Sequence, residues 1–296
     1  NSAFGLSVSV NDFNGDGLPD IFVGNDYVEP DMLYRNNGNG TFTDIASERF
    51  ALMSQNSMGS DAADLNDDGR PDLLVLDMLP ETDRRQKALM STMMLDRYEV
   101  LLNFGYGRQQ MRNVLQYNTG DGFSEAARWA GVDATDWSWA ALAEDFDQDG
   151  RKDLFISNGY HRDVTDLDFI RYKNDSLRRD MPISELHRVL DRIPQVKLRN
   201  HLFRQTDEGQ FEEMNHAWGI TESSFSNGAA HVDLDNDGRL DIYVANDAME
   251  NYFQRNLGNG RFENDGLLRG LAFGEGGQGV SSMGPTAGDI NGDGWI

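Results

Sequence analysis

One nine-residue pattern, Asp-x-Asp/Asn-x-Asp-Gly-x-x-Asp, stands four times in full: Asp12 to Asp20, Asp64 to Asp72, Asp145 to Asp153 and Asp233 to Asp241, with a fifth copy opening at Asp289. Side-chain oxygens alternate at positions 1, 3 and 5: Asp12, Asn14 and Asp16; Asp64, Asn66 and Asp68; Asp145, Asp147 and Asp149; Asp233, Asp235 and Asp237; Asp289, Asn291 and Asp293. That alternation aims three ligands at one centre, and Gly at position 6 permits the sharp turn it needs. The backbone carbonyl at position 7 (Leu18, Arg70, Arg151, Arg239, Trp295) and the carboxylate at position 9 (Asp20, Asp72, Asp153, Asp241) would complete a shell. Oxygen-only ligation suits a hard cation, and the number of protein ligands favours Ca2+ over Mg2+. The expectation is Ca2+ at four sites and at a fifth whose ninth position falls beyond Ile296. Without metal the carboxylates repel, each pair at ~4 Å costing on the order of 1 to 4 kcal/mol, so the ion should order the loop.

An EF-hand opens in the same way but needs a bidentate Glu at position 12 and flanking helices. Position 12 here is Val23, Val75, Ile156 and Val244, inside an apolar segment each time, which excludes that reading. One Asp-Gly-rich segment could be a solvated turn, but four copies in one register are not explained that way. The loops hold 17 of the 36 aspartates, against only 14 glutamates in the chain. With no cysteine there are no disulfides, and metal takes their place as the staple.

Composition bounds the rest. At 296 residues and 39% hydrophobic, the chain can bury a sizeable core. Its longest apolar run is five residues, Trp139 to Ala143, too short to span a membrane. A formal net charge of −24 argues against nucleic acid as a partner.

The elements that must position the loops also repeat. Each complete loop follows a stretch rich in Ala, Gly and Ser, such as Gly59-Ser60-Asp61-Ala62-Ala63, and runs into an apolar strand: Ile21-Phe22-Val23, Leu73-Leu74-Val75, Leu154-Phe155-Ile156 and Ile242-Tyr243-Val244. A second strand pattern follows at Met32-Leu33-Tyr34, Val114-Leu115-Gln116, His201-Leu202-Phe203 and Tyr252-Phe253-Gln254, then a Gly-rich hairpin turn and a return through Phe42, Phe123, Phe211 or Phe262. Four-stranded antiparallel units at this period predict an all-β β-propeller. The blades are expected at about 4–46, 56–128, 137–215 and 225–265, with a fifth beginning at about 279–296. The small-residue strands would lie innermost, and the truncated fifth motif reads as a piece of a longer chain.

On these residues the chain resembles the FG-GAP/VCBS repeats of integrin-α-type calcium-binding propellers. It is especially similar to bacterial surface proteins of the cartilage-acidic-protein (ASPIC/UnbV-like) group. The resemblance rests on Phe4-Gly5, the acidic loops and the Asn-Gly-Asn-Gly-Thr-Phe hairpin at 37–42, and the Asp136-Trp137-Ser138-Trp139-Ala140 stretch looks like long VCBS-repeat proteins of the Bacteroidota surface. It implies Ca2+, roughly seven blades in a complete ring, and an extracellular or cell-surface setting, outer-membrane-associated in a Gram-negative bacterium. The implied work is adhesion or scaffolding towards a protein or glycan partner, sometimes beside uptake or secretion machinery, with no implied reaction.

Two insertions, 81–113 and 160–200, interrupt blades 2 and 3 between the second and third strands, on the face opposite the loops. Leu89, Met93 and Tyr98 to Leu102 mark helical spacing in the first; Leu186, Val189, Leu190 and Ile193 mark it in the second, with Ser184 as cap and Pro194 as stop. Together they hold 15 of the 26 basic residues. Either Met90, Met93, Met94, Tyr98, Phe104 and Tyr106 offer a partner-binding surface, or the helices pack on each other and lay their basic side chains on the acidic propeller. No His-x-x-x-His, Gly-x-Ser-x-Gly or phosphate loop occurs. The alternative function is a propeller-type polysaccharide lyase or other glycan-processing enzyme with His231 as base; a His filling space on an inner strand is the plainer account. Trp137 and Trp139 could stack on a sugar or pack between blades.

Overall fold

Each complete acidic loop joins the first two strands of a four-stranded antiparallel sheet. In this computed structural model, which describes residues 3–89, 95–176, 181–289 and 291, the first sheet comprises Gly5–Asn11, Asp20–Asn25, Met32–Asn36 and Phe42–Asp44. The second comprises Gly59–Ala63, Asp72–Leu76, Val114–Asn118 and Phe123–Glu125; the third, Ser138–Glu144, Asp153–Asn158, His201–Gln205 and Phe211–Glu213. Ser226–Val232, Asp241–Asn246, Tyr252–Asn256 and Phe262–Asn264 form the fourth. In every sheet the strands lie side by side in chain order. The register repeats as well: Asn11 pairs with Asp20, Ala63 with Asp72, Glu144 with Asp153 and Val232 with Asp241, so the ninth loop residue is always the first of the second strand.

Second strands read as unbroken apolar runs, and in the second and third sheets both of their faces are covered. Leu73 and Val75 join Phe22, Phe50 and Phe123 in a core between the first and second sheets. Leu74 and Leu76 point the other way, into a core shared with Leu154, Ile156 and Phe211 of the third. Phe155, Phe146, Ile242, Val244 and Phe262 fill the next, between the third and fourth. First strands of successive sheets abut one another, which explains their small residues. A Cβ on Gly59 would lie 1.8 Å from the Trp139 carbonyl oxygen, and one on Gly228 would lie 2.4 Å from that of Met283. Residues 281–289 carry no strand, yet Ser282 donates its N–H to the Asn246 carbonyl, as Ser57 does to Asn25 and Ser138 to Asp77.

Both insertions leave between second and third strands, opposite the loops. The first contains helices Asp83–Leu89 and Leu95–Asn103; the second, Leu167–Ser176 and Ile183–Leu190. The expected cap at Ser184 is wrong: the helix begins one residue earlier, and the Pro182 carbonyl accepts from Glu185 and Leu186. Pro194 does not end the helix either. It stops at Leu190, whose carbonyl accepts from Arg162, while Pro194 accepts from the Asp163 N–H. Phe169, Val189 and Ile193 bury together as a small separate core, and the Asp83–Leu89 helix lies against Leu167–Ser176. Arg85 reaches Asp136 at 2.7 Å and Asp163 at 3.2 Å, joining the insertions to the start of the third sheet. So the helices do pack together with basic side chains on acidic ones. Phe104 stays 77% exposed, Tyr98 and Tyr106 are half-buried, and Met90, Met93 and Met94 lie outside the described residues.

Candidate metal centre

The chain turns through each loop by placing positions 4 and 6 in the left-handed region. Position 6 is Gly17, Gly69, Gly150 or Gly238, but position 4 is Gly only once; Asp67, Gln148 and Asn236 take φ of 56°, 62° and 55°. Such values are tolerated mainly where local side-chain hydrogen bonds compensate, and position 1 supplies them. Asp12 accepts the N–H groups of Gly15, Asp16 and Gly17, the last at 2.7 Å. Asp64, Asp145 and Asp233 likewise accept from positions 5 and 6. Position 5 accepts from the N–H of position 7 in every complete loop, at 2.9 to 3.0 Å. Asn14, Asn66 and Asp147 at position 3 accept from position 5.

Position 9 is buried. Asp72 accepts from Leu65 in the loop and from Asn118 at the end of the third strand, at 2.9 and 2.8 Å. Asp153 does the same with Phe146 and Gln205, and Asp241 with Leu234 and Asn256. Burial pushes these carboxyls up, to about 6 for Asp72 and Asp241 and about 7 for Asp153, against the pull of the N–H donors and with added repulsion from neighbouring loop aspartates. Asp20 is raised for the same reason. Each oxygen still has a second lone pair for a cation.

The donor set fits a hard cation in chemistry and in shape. Carboxylate oxygens of Asp145, Asp147 and Asp149 lie within 4.8 Å of one another, as do those of Asp233, Asp235 and Asp237. Asp235 Oδ1 is buried without a hydrogen-bond partner. Loops 1 and 2 carry Asn14 and Asn66 at position 3, so they offer two carboxylates and an amide oxygen there. For the fifth loop, Asp289 and Asn291 are described and Asp293 is not.

Sequence reasoning missed two sets of residues that hold the loops. Arg70, Arg151 and Arg239 at position 7 were read only for their carbonyls. Their guanidinium groups pair with the position-5 carboxylates of their own loops. They also donate through Nε to the carbonyls of Asn118, Gln205 and Asn256. Those three third-strand residues are the second set. The Asn118 amide donates to the Phe13 carbonyl of loop 1 at 2.8 Å, Gln205 to Leu65 of loop 2 at 2.6 Å, and Asn256 to Phe146 of loop 3 at 2.8 Å. Each of the first three loops is thus hooked by the following sheet, and its apolar second residue is buried in that joint, with Phe13 edge-on to Phe123 and Phe146 to Phe262. The visible signal was the recurring amide two residues beyond each Tyr34, Gln116, Phe203 or Gln254 of the third-strand pattern.

His231 sits on the first strand of the fourth sheet, its Nε2 4.0 Å from Glu144 Oε1 and its side chain 33% exposed. Trp137, Trp139 and Tyr160 stack with one another, Trp137 on Tyr160 at 4.5 Å with planes 9° apart. Asn39 accepts from Thr41 inside its hairpin turn, as a turn residue should.

Two stretches, residues 12–75 and 233–296, match the family model for the FG-GAP-like repeat. A search of curated proteins returns no match. Among solved structures, an Agrocybe aegerita lectin described as recognising non-reducing terminal N-acetylglucosamine is similar at 15% identity and a TM-score of 0.37, over 86% of this chain and 49% of that one. The chain therefore spans about half the length of that lectin. The chain carries FG-GAP-type repeats in two places, set in all-β, four-stranded antiparallel sheets.

Proposed function

We propose that this FG-GAP-repeat chain is a stretch of calcium-stabilised β-propeller that works outside the cell as an interaction module for a protein or glycan partner. The observation that carries the calcium part is the place of the loops. Each of the first three is hooked into the next sheet, so an ion that orders the loop also fixes a joint. Propeller geometry is supported by the abutting first strands and by a core in every joint. It is further supported by an uncovered face on the first sheet: Phe42 is 45% exposed where its sister residues Phe123, Phe211 and Phe262 are buried. The cell-surface setting belongs to the same proposal and takes the affinity of extracellular modules, ~0.1–1 mM, a level the cytosol does not reach. ASPIC/UnbV-type membership and an outer-membrane location are the finer form of the same proposal. Among the described residues no helix is long and apolar enough to cross a membrane.

The deciding experiment is a thermal melt with excess Ca2+, with EGTA, and with Mg2+ as control. Several sites at 10 mM Ca2+ should together raise Tm by more than about 10 °C, and Mg2+ should not. Identical melts in Ca2+ and EGTA would end the calcium reading. The lyase alternative rests on one observation, the half-exposed imidazole of His231 facing Glu144. It requires unsaturated uronide to accumulate from a polyuronate panel and to vanish in His231→Ala; no product is expected.

A further inference from the structure

We propose that Arg204 is a built-in counter-ion of the third loop, and that it makes this loop the weakest and most readily emptied calcium site of the four. The inference rests on the calcium reading above and concerns one site within it. Arg204 lies on the third strand of the third sheet and reaches into the loop before it. Its Nη2 donates to Asp149 Oδ2 at 2.9 Å, and its Nε lies 3.1 Å from Asp147 Oδ2 as an ion-pair contact without hydrogen-bond alignment. Those carboxylates are positions 3 and 5 of the motif, and their side chains are only 11% and 19% exposed. Among the described residues, no sister of Arg204 enters its loop in this way. Arg35 lines a pocket with Asn14 and Asp16 of loop 1 but forms no ion pair with them, Tyr117 directs its hydroxyl to the Gly209 carbonyl at 3.5 Å, and Arg255 pairs with Asp265 and Glu263 of its own sheet.

The charge pattern of the repeats makes the placement meaningful. Position 3 is a neutral Asn in loops 1 and 2 and an Asp in loops 3 and 4. Among the four complete loops, an arginine forms an ion pair at position 3 where that residue is Asp: Arg204 on Asp147 at 3.1 Å, and Arg269 on Asp235 at 3.6 Å. The two cases differ. Arg269 is shared with Asp265, and Asp235 Oδ1 keeps no hydrogen-bond partner. Arg204 instead bridges two prospective ligands of loop 3, and Arg151 contributes a second guanidinium to Asp149 at 2.5 Å. Slight burial pushes Asp149 up, but Arg204 and Arg151 outweigh it and hold the carboxyl below its usual range.

A guanidinium bridging two carboxylates has the same oxygens that a Ca2+ shell needs. Ca2+ can enter loop 3 only as Arg204 swings out to solvent, and its 42% side-chain exposure leaves that route open. The exchange releases one cation for another, so the third Asp adds less to affinity than ligand charge alone would predict. When calcium falls, Arg204 returns and the empty loop stays ordered where the others splay.

Calcium titration by calorimetry on metal-stripped protein tests this, comparing the wild type with Arg204→Met, Arg204→Met combined with Asp145→Ala, and Arg255→Met. The expected result is that Arg204→Met tightens one class of sites at least about tenfold. That gain should disappear when Asp145→Ala disables loop 3, and Arg255→Met should change nothing. In EGTA the Arg204→Met protein should melt earlier than wild type, and with saturating Ca2+ it should not. If Arg204→Met does not fold, Arg204→Lys keeps the charge without the fork and should show a smaller gain of the same sign. Affinities within twofold of wild type, or weaker, overturn the proposal while the calcium reading stands. No binding to any of these proteins overturns the calcium reading and this inference with it.

Discussion

Two of the most deeply buried carboxylates belong to no loop. Asp31 accepts from the Asn25 N–H and the Ser57 hydroxyl, and Asp77 from Ser54 and the N–H groups of Gln55 and Asn56. Burial pushes Asp31 up to about 7 and Asp77 to about 6, against those donors. The repeats show what the site would accept instead. The place of Asp31, just before the third strand, is held by Asn113, Asn200 and Asn251 in the other sheets, each accepting the equivalent N–H. Replacing Asp31 by Asn should therefore stabilise the protein, by about 2 kcal/mol at pH 8 once the lost charge-assisted bonds are counted. The sign in pH follows from a folded pKa raised above the unfolded one. The wild type gains stability as pH falls from 7 towards 4, because only the native state takes up the proton there, so the advantage of Asp31→Asn should shrink over that window. Urea melts of both proteins at pH 8 and pH 4.5, at fixed Ca2+, measure it; an advantage that grows on acidification would reverse the assignment. These residues also show where sequence reading ran short. The loops stood out because Asp and Gly are rare in such a spacing. The amides Asn25, Asn158 and Asn246, each thirteen residues after a loop opens, repeat in three of the four sheets, with Asp77 in the same place in the second. A single Asn at the end of a strand carries no chemistry of its own, and it was passed over.

At the level of elements, the strands were legible and the insertion helices were legible only in part. Strand positions were fixed by three coincident signals: the loop, the two-sided apolar run and the hairpin turn. The helix from Ile183 to Leu190 lacked such redundancy, so its start was assigned to Ser184, the residue with the best capping chemistry, although a carbonyl from Pro182 serves. What holds the insertions could not be read from spacing, because it joins residues 51 and 78 positions apart. Arg85 donates through Nε and Nη2 to Asp136 and through Nη1 to Asp163, with the two carboxylates 5% and 7% exposed. Removing one partner of a buried pair leaves an uncompensated charge, at a cost of about 3–5 kcal/mol. Arg85→Met should therefore release the Asp83–Leu89 helix from Leu167–Ser176 while the sheets persist. Limited proteolysis should then cut within 81–113 well before wild type, with strand content by circular dichroism unchanged. Equal cleavage rates would show that apolar packing, not the guanidinium, docks the insertion. A smaller loss, on the order of 1–3 kcal/mol, is expected for Gln205→Ala, which strands the Leu65 carbonyl in the joint between the second and third sheets.

For the molecule as a whole, the consequence of hooking each of the first three loops into the next sheet is that neighbouring sheets depend on one another for stability. The second strand of the second sheet gives one face to the first sheet's core and the other to the third's. Unfolding the second or third sheet therefore exposes two cores, and array-like chains of this kind lose independence as neighbour terms outgrow the stability of the single repeat. The ions enter at the same joints. Abolishing one site by Asp64→Ala at 10 mM Ca2+ should remove about 1.4–2.7 kcal/mol of linkage, given a Kd of ~0.1–1 mM. Leu65, which that loop presents to the third sheet, is buried and hooked by Gln205, so the loss should be felt on both sides of the joint. The expected outcome in differential scanning calorimetry is one transition lowered by roughly 3–8 °C, with calorimetric and van't Hoff enthalpies still matching. Two separated transitions, one of them at the wild-type temperature, would instead mean that the second sheet melts alone and that the loops staple their own hairpins only. The same variant scanned in EGTA isolates the hydrogen bonds that Asp64 accepts from Asp68 and Gly69; the gap from wild type should be smaller there than in Ca2+, and an equal gap in both would mean that Asp64 acts through the turn and not as a ligand.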